Sequence, residues 1–341
     1  MQDDYFTLMQ KLAPDLAEQI ERRALVLERI DALQPVGRRL LSARLNLPER
    51  EVRTVAALLR EHGLVSQGAD GMTLTPSAQA ILPVARRLSR DIRGLTALEA
   101  ELGKYLNVPN ISIAAGDFDE DPHVLREVGR LAANKLRPFL QSGSTLAVTG
   151  GTTIHEAAFA LPPGAPMNVM VVPASGGIGR SVETQANTVA SEIARRLGGH
   201  HRLMYLPDHL DEQALAELKK LREITETLDL LERADVVLHG IGRADDMAAL
   251  RLPPAVQGDM IRRGGVAEAY GCYFDREGKP VYSASTVAQG LGALKPRCAL
   301  LAVAAGKRKA EAIIAVLRNR PHALLVTDEG AAREILGLFS H

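Results

Sequence analysis

Thr145-Leu-Ala-Val-Thr-Gly-Gly-Thr-Thr-Ile-His-Glu-Ala-Ala-Phe-Ala-Leu161 is the stretch around which the rest of the chain arranges itself. Leu146 to Val148 make a short apolar run that reads as a buried strand. Gly150 and Gly151 then permit a tight turn. Thr152 and Thr153 open a helix whose apolar face is Ile154, Ala157, Ala158 and Leu161. A glycine-rich turn from strand into helix presents free backbone N–H groups, and the helix dipole favours an anion in front of them. The two threonine hydroxyls add donors suited to phosphate oxygens. The same residues also suit an ordinary capped helix, because threonine is a common N-cap. The turn therefore gains weight only from its surroundings.

A chain of 341 residues has room for two or three domains. Apolar residues at 46% and charged residues at 24% are ordinary globular values. Aromatics are only 4%, with no Trp, so the cores must be built from Leu, Val, Ile and Ala. The formal net charge is zero, so any nucleic-acid surface has to be local. Cys272 and Cys298 offer neither metal-ligand spacing nor a disulfide framework, which fits a reducing compartment. No apolar run reaches the roughly 18 residues that span a bilayer. These features predict a soluble, cytoplasmic protein with no membrane partner, no metal and no cofactor.

Residues 1 to about 20 form a polar arm with an apolar stripe of Tyr5, Leu8, Leu12 and Leu16. Helical periodicity sets in at Ile20 and runs to Leu33, where Pro35 stops it. A second helix is expected over Val36 to Leu45, with Leu40, Leu41 and Leu45 inward. A third follows from Pro48 to about His62, through Val52, Val55, Ala56, Leu58 and Leu59. Leu64-Val-Ser66 and Met72-Thr-Leu74 flank Gly68-Ala-Asp-Gly71 as a hairpin. Three helices and a small hairpin make a winged helix-turn-helix. Residues 35–60 carry six arginines (Arg38, Arg39, Arg44, Arg50, Arg53, Arg60) against Glu49 and Glu51, a local net of +4. Such a face can neutralise DNA phosphates and release counterions. Arg50, Arg53 and Thr54, in the first turns of the third helix, are candidates for base edges, and Arg38 and Arg39 for the DNA backbone. A merely solvated arginine face is the alternative. Ser77 to Tyr105 reads as a long amphipathic linker helix with Gly94 as its weak point, and either a dimer seam or an intramolecular packing element.

Beyond Val108 the rhythm becomes strand, helix, strand. Apolar runs at Ile111–Ala114, Leu146–Val148, Val169–Val172, Leu203–Leu206, Val236–Leu238, Leu300–Val303 and Ala323–Val326 alternate with helical patterns at Val124–Leu140, Val182–Leu197 and Leu210–Leu231. Tyr270–Phe274 and Val281–Tyr282 bracket a hairpin turn at Asp275–Gly278. This alternation predicts an α/β fold with a doubly wound, mostly parallel sheet, whose ligands bind outside the carboxyl ends of the strands. The division is 1–90 for the winged helix and its arm, 91–107 for the linker helix, and 108–341 for a ligand-binding and oligomerisation domain.

Four polar, glycine-rich turns follow expected strands: Thr149–Thr153, Pro173–Arg180, Gly240–Asp246 and Ala305–Glu311. In a parallel sheet they converge on one rim. Lys307, Arg308 and Lys309 would add positive charge there, which suits a sugar phosphate or a bisphosphate better than a neutral ligand. Each turn alone is ordinary connection chemistry. His155 reads as packed or solvated, and His200-His201 as the close of a helix. Asp328-Glu-Gly330 reads as a helix start.

Pro35-Val-Gly-Arg-Arg-Leu-Leu-Ser-Ala43, Gly71-Met-Thr-Leu-Thr75, Val148-Thr-Gly-Gly-Thr-Thr153, Gln185-Ala-Asn-Thr188, Val237-Leu-His-Gly-Ile-Gly242, Glu268-Ala-Tyr-Gly-Cys-Tyr-Phe274 and Leu325-Val-Thr-Asp-Glu-Gly-Ala-Ala332 together resemble one family nearly end to end. It is the SorC family of bacterial transcription regulators, in the branch of the central glycolytic genes regulators. The resemblance implies a repressor with no catalytic residues. It implies a C-terminal domain like glucosamine-6-phosphate deaminase and ribose-5-phosphate isomerase, fructose-1,6-bisphosphate as effector, and a dimer or tetramer on double-stranded operator DNA. It places the phosphate loop on Gly150, Gly151, Thr152 and Thr153, and further effector contacts on Gln185, Glu268 and Lys309. One departure stands out. The family run Pro-Ala-Arg-Gly-Gly is here Pro173-Ala-Ser-Gly-Gly177, so Ser175 stands where a phosphate-binding arginine is usual. Lys307 and Arg308 could compensate, or the effector could be another sugar phosphate.

Two other readings compete. A sugar-phosphate isomerase or deaminase needs a positioned general base, for which Glu268 and Asp245 are the candidates. A constitutive DNA-binding oligomer needs no ligand at all.

Overall fold

The structure, a computed structural model, describes residues 11–45, 47–162, 164–176, 181–206, 212–283 and 298–340. Tyr5 and Leu8 of the expected arm lie outside them. The chain divides into two compact units, residues 1–97 and 98–341.

In the first unit α1 (Pro14–Leu33), α2 (Arg38–Leu45) and α3 (Glu49–Glu61) precede the hairpin β1 (Val65–Gln67) and β2 (Met72–Leu74), and α4 (Pro76–Ile92) follows. Helix α1 starts well before the sequence pattern suggested, on a proline that suits a first turn. Val26, Leu27, Ile30, Leu41, Val52, Ala56, Leu59, Val65 and Met72 share one core. Each large aliphatic so buried contributes about 1.5–3 kcal/mol. Leu40, expected inward, is 46% exposed, whereas Leu41 is fully buried. In a helix of eight residues, successive positions turn by about 100°, so the inward stripe is one side chain wide and Leu40 falls off it. Gly71 closes the hairpin beside the backbone of Val36, where a Cβ would lie 2.8 Å from main-chain atoms. The expected long linker is two helices, α4 and α5 (Leu95–Leu106), parted at Gly94, whose φ of +68° only glycine adopts cheaply. The boundary between the units falls inside α5.

Among the described residues the second unit is built on seven parallel strands in the order β3-β13-β12-β7-β4-β5-β6. They are β3 (Ile111–Ala114), β4 (Thr145–Val148), β5 (Met170–Pro173), β6 (His200–His201), β7 (Val236–Gly240), β12 (Ala299–Val303) and β13 (Leu324–Asp328). Helices α6 (Val124–Leu136), α7 (Thr152–Ala160) and α8 (Ala186–Leu197) pack on one face, sharing a core with Leu146, Val148, Val171, Leu238, Val303 and Val326. The apolar residues of α10 (Arg222–Glu232), α13 (Ala310–Asn319) and α14 (Glu329–Phe339) fall outside that core; α9 (Glu212–Leu218) precedes α10. A second sheet, which the sequence showed only as a hairpin, is antiparallel in the order β11-β10-β9-β8. It comprises β8 (Gly242–Arg243), β9 (Ala267–Ala269), β10 (Cys272–Phe274) and β11 (Pro280–Ser283), with α11 (Ala244–Arg251) and α12 (Pro254–Arg262) inserted after β8.

Two expected elements move. Leu203–Leu206 is not a strand. Asn187 donates to the Met204 carbonyl at 3.0 Å and accepts from its N–H at 2.8 Å, so a side chain takes the groups a ladder would use. The edge pairing falls earlier, where His200 N–H donates to the Val169 carbonyl and Arg202 N–H to Val171. The expected helix over Val182–Leu197 starts only at Ala186, because residues 181–184 form a turn that packs against Gly150 and Gly151.

Candidate functional site

Strand order reverses direction between β4 and β7: β4 leads outward to β5 and β6, β7 back toward β12 and β13. Such a switch point opens a crevice at the carboxyl ends of the two strands. Thr149 stitches that crevice. It is buried, its N–H donates to Leu238, and its Oγ1 accepts from Gly240 N–H at 3.1 Å. The next two glycines are required. A Cβ on Gly150 would lie 2.5 Å from the Thr184 carbonyl and 3.0 Å from Ala186 N. Gly151 has φ +112° and donates its N–H to Thr184. The N-termini of α7 and α8 thereby meet. Among the described residues neither has a side-chain cap hydrogen bond, and the two helix dipoles add in front of them.

A cavity of about 350 Å³ lies in front of these helix ends, within the range of small-molecule sites. All eight effector candidates line it: Gly150, Gly151, Thr152, Thr153, Ser175, Gln185, Glu268 and Lys309. Residues from four separate turns are thus brought to one place, although residues 177–180 of the second turn lie outside the described part. Ser175 Oγ is buried and, among the described residues, has no hydrogen-bond partner. Glu268 is not on the surface. It is 4% exposed, its Oε1 accepts from Gly271 N–H at 2.7 Å, and Arg251 Nη1 donates to the same oxygen at 3.2 Å.

Arg251, Tyr270 and Met247 also line the cavity, and the sequence did not single them out. Their only sequence signal is proximity to Gly242 and Glu268. The small sheet that folds them back onto the rim joins Gly242 to Glu268, far apart in the chain.

Of the three consecutive cations, only Lys309 reaches the cavity. Lys307 Nζ pairs with Glu120 at 2.9 Å and Asp117 at 3.3 Å, and Arg308 donates its N–H to Asp119. Neither of these two lines the cavity. Burial pushes the Lys309 ammonium below its ordinary pKa, while Asp119, Asp246, Asp328 and Glu268 oppose that shift. Asp328 caps α14 through Ala331 N–H, as expected, and also accepts from Gly306 and Phe118 N–H. Its carboxyl pKa is raised, chiefly by burial. Asp245, the other candidate base, is exposed and ion-paired to Arg243, which lowers its pKa. His155 is held by the Glu183 carbonyl at 3.0 Å and packs on Phe159.

Behind the cavity, His239 and His322 are buried with their Nε2 atoms 2.9 Å apart. Their Nδ1 atoms lie 3.0 Å and 2.8 Å from the carbonyls of Gly240 and Arg320. Burial drives both below the ordinary imidazole pKa, to about 3 and about 4. The Tyr270 ring meets His239 edge-on, and burial raises the Tyr270 phenol as well.

In the first unit, Val52, Ala56 and Leu59 turn one side of α3 into the core. Arg50, Arg53 and Thr54 lie exposed on the other. Arg38, Arg53 and Arg60 share a groove of about 310 Å³ with Gln67 of the hairpin. Arg50 and Thr54 line a different one, beside Glu18, Arg22 and Glu51 of α1 and α3. Arg22 bridges Glu18 and Glu51, both at 2.5 Å. Arg39 is exposed, and the Thr54 hydroxyl is engaged by the Arg50 carbonyl. Among the described residues no helix is long and apolar enough to cross a membrane.

Residues 20–88 match the family model described as "CggR N-terminal DNA binding domain", and residues 90–337 the model described as "Putative sugar-binding domain". The chain is 36% identical over 328 residues to the central glycolytic genes regulator of Bacillus subtilis, covering 96% of each chain. It is 35% identical over 336 residues to that of Priestia megaterium, covering 98% of each. Among solved structures, a SorC family transcriptional regulator from Enterococcus faecalis is similar, at 36% identity and TM-score 0.65, over 70% of this chain and 99% of that one. The full-length sorbitol operon regulator SorC from Klebsiella pneumoniae shares the fold at 18% identity and TM-score 0.65, over 94% of this chain and 98% of that one.

Proposed function

The chain belongs to the central glycolytic genes regulator family, and on that premise we propose that it is a DNA-binding repressor of central glycolytic genes controlled by a phosphorylated sugar. The observation that carries the sensing half is the cavity at the strand switch point, where two uncapped helix N-termini meet Lys309. The DNA-reading half rests on Arg38, Arg39, Arg50 and Arg53, which stand exposed on α2 and α3 in the unit that matches the DNA-binding model. The regulator names of the relatives weigh against the isomerase or deaminase reading. So does the tying of both candidate bases, Glu268 and Asp245, to arginines.

Control follows from linkage. A ligand that favours one arrangement of the sensor units shifts the population of the DNA-competent state by its differential affinity, and only by that. The active species is a homo-oligomer, dimer to tetramer, bound to double-stranded operator DNA. Fructose-1,6-bisphosphate heads the ligands to test, because the family resemblance implies it.

The test is a mobility-shift titration on DNA upstream of a glycolytic operon, with and without phosphosugars at 1 mM or so. An effector should move operator affinity by about 5–150-fold. Lys309→Ala should abolish the shift while leaving ligand-free DNA binding intact. Operator affinity indifferent to every phosphosugar, with sedimentation unchanged, would return the protein to a constitutive DNA-binding oligomer.

A further inference from the structure

We infer that Asp119 is a positioning residue for the sensor cavity: from the loop after β3 it holds the turn that carries Lys309 to the ligand. The inference rests on reading the cavity as a phosphosugar site, and it adds a residue that lies outside the cavity lining.

The turn after β12 lacks a cap of its own. Gly306 stands at the N-cap of the 3-10 turn Lys307–Lys309, and glycine has no side chain with which to cap. Its φ of +102° is a conformation that glycine adopts cheaply. The cap comes from 189 residues earlier in the chain, where Asp119 Oδ2 accepts from the Arg308 N–H at 2.9 Å. That amide belongs to the second residue of the turn, the position an N-cap carboxylate normally serves. Asp328 takes the amide before it, accepting from the Gly306 N–H at 3.0 Å. Gly306 is also what admits Asp119, because a Cβ there would lie 2.9 Å from Asp119 Oδ2. With these two amides held by carboxylates, what the turn contributes to the cavity is the side chain of Lys309.

The loop that bears Asp119 is itself fixed. Phe118 N–H donates to Asp328 at 2.7 Å, and Gly116 N–H to Glu329 at 3.2 Å. Gly330 N–H returns a bond to the Gly116 carbonyl at 3.1 Å. The Asp119 N–H donates to Asp117 Oδ1 at 2.9 Å, which sets the direction of the residue. Asp117 and Glu120 of the same loop hold Lys307 Nζ and so draw the first cation of the turn away from the cavity. The loop is thus docked on the start of α14 and reaches the neighbouring turn as one piece. Asp119 itself is exposed, so its removal opens no hole in the core and leaves the fold standing.

Charge works in the same direction as geometry. Burial pushes the Lys309 ammonium down, and Asp119 comes first among the carboxylates that oppose it. An ammonium kept charged and kept in place is a point cation for a phosphoryl group.

The experiment is titration calorimetry on the full-length chain at pH 7 with fructose-1,6-bisphosphate and, separately, fructose 6-phosphate. The proteins are wild type, Asp119→Ala, Asp119→Asn, Lys309→Ala and the double variant Asp119→Ala with Lys309→Ala. Ligand in the millimolar range keeps the weak variants measurable. Asp119→Ala should weaken binding about 10-fold, which is about 1.4 kcal/mol. Asp119→Asn keeps an oxygen acceptor for the Arg308 N–H and should recover most of that loss. In the Lys309→Ala background Asp119→Ala should cost nothing further, because a positioning residue acts only through the group it places. An Asp119→Ala protein that binds as well as wild type overturns the inference. So does an equal loss in both backgrounds, or an Asp119→Asn protein no better than Asp119→Ala. If neither phosphosugar binds the wild type, the phosphosugar reading of the cavity falls instead.

Discussion

Acidification from pH 7 to pH 5 should destabilise the second unit through His239 and His322. Both are buried, and burial holds their pKa values at about 3 and about 4 against 6.5 in the unfolded chain. Between those limits the unfolded chain binds more protons than the folded one. Stability therefore rises with pH: it is complete above the unfolded pKa and is lost as pH falls below it. Each residue costs about 1.36 kcal/mol per pH unit in that window. By pH 5 the two together amount to about 4 kcal/mol, a large share of the 5–15 kcal/mol typical of a domain. Raised by burial, the Asp328 carboxyl works in the opposite direction, because a group with a raised folded pKa gives its stability at low pH.

The geometry of the pair sharpens the prediction. Three contacts, the two Nδ1–carbonyl contacts and Nε2–Nε2, each need one proton. A neutral pair carries two, so one contact must stay unmade. A third proton would satisfy all three but would put a charge in an apolar interior, beside the Arg320 guanidinium that already lowers His322. Burial should win, because an unsolvated charge costs more than one hydrogen bond. Urea denaturation followed by circular dichroism at pH 7, 6 and 5 measures the slope, and His322→Gln should roughly halve it. A wild-type loss of only about 1 kcal/mol from pH 7 to pH 5 would mean that the pair already holds its third proton, and a profile as flat as or flatter than that would refute the reasoning.

Three further outcomes are expected. Gly150→Ala puts a methyl 2.5 Å from the Thr184 carbonyl; the two helix ends must part, at a cost of about 1–3 kcal/mol, and thermal stabilisation by a phosphosugar should disappear. Arg251→Ala leaves buried Glu268 without its cation, which should cost about 3–5 kcal/mol by urea denaturation, and Arg251→Met with Glu268→Gln should cost less than the single change. Arg38→Ala, Arg53→Ala and Arg60→Ala, exposed around one groove, should each lower the log–log salt slope of DNA binding by about 0.9 if each side chain meets a phosphate, with no change in the helical circular dichroism signal.

What could be read in the chain was what neighbours in sequence decide. Strands β4, β7, β12 and β13 each contain an unbroken aliphatic run of at least three residues, as suits a parallel sheet covered on both faces. Gly150 and Gly151 announce a turn that no other residue could make, and Asp328 announces a helix start. Strand β9 is Ala-Glu-Ala, with no β-branched residue and a partner, Gly242, in a distant segment. Nothing local marks it, so Arg251 and the burial of Glu268 stayed hidden.

The same division runs through the lining of the cavity. The turn that opens α7 is made by glycines and threonines, all local features, and it shows in the residues from Thr149 to Thr153. The charge balance of the opposite wall is tertiary. Lys307, Arg308 and Lys309 look alike in sequence, yet a single 3-10 turn sends Lys307 to an acidic loop some 190 residues upstream and only Lys309 to the cavity. Asp328 caps its own helix and, through Gly306 and Phe118, fixes the turn that carries Lys309. The glycine turn is therefore legible from its own residues, while which of the three cations faces the cavity is decided by the fold.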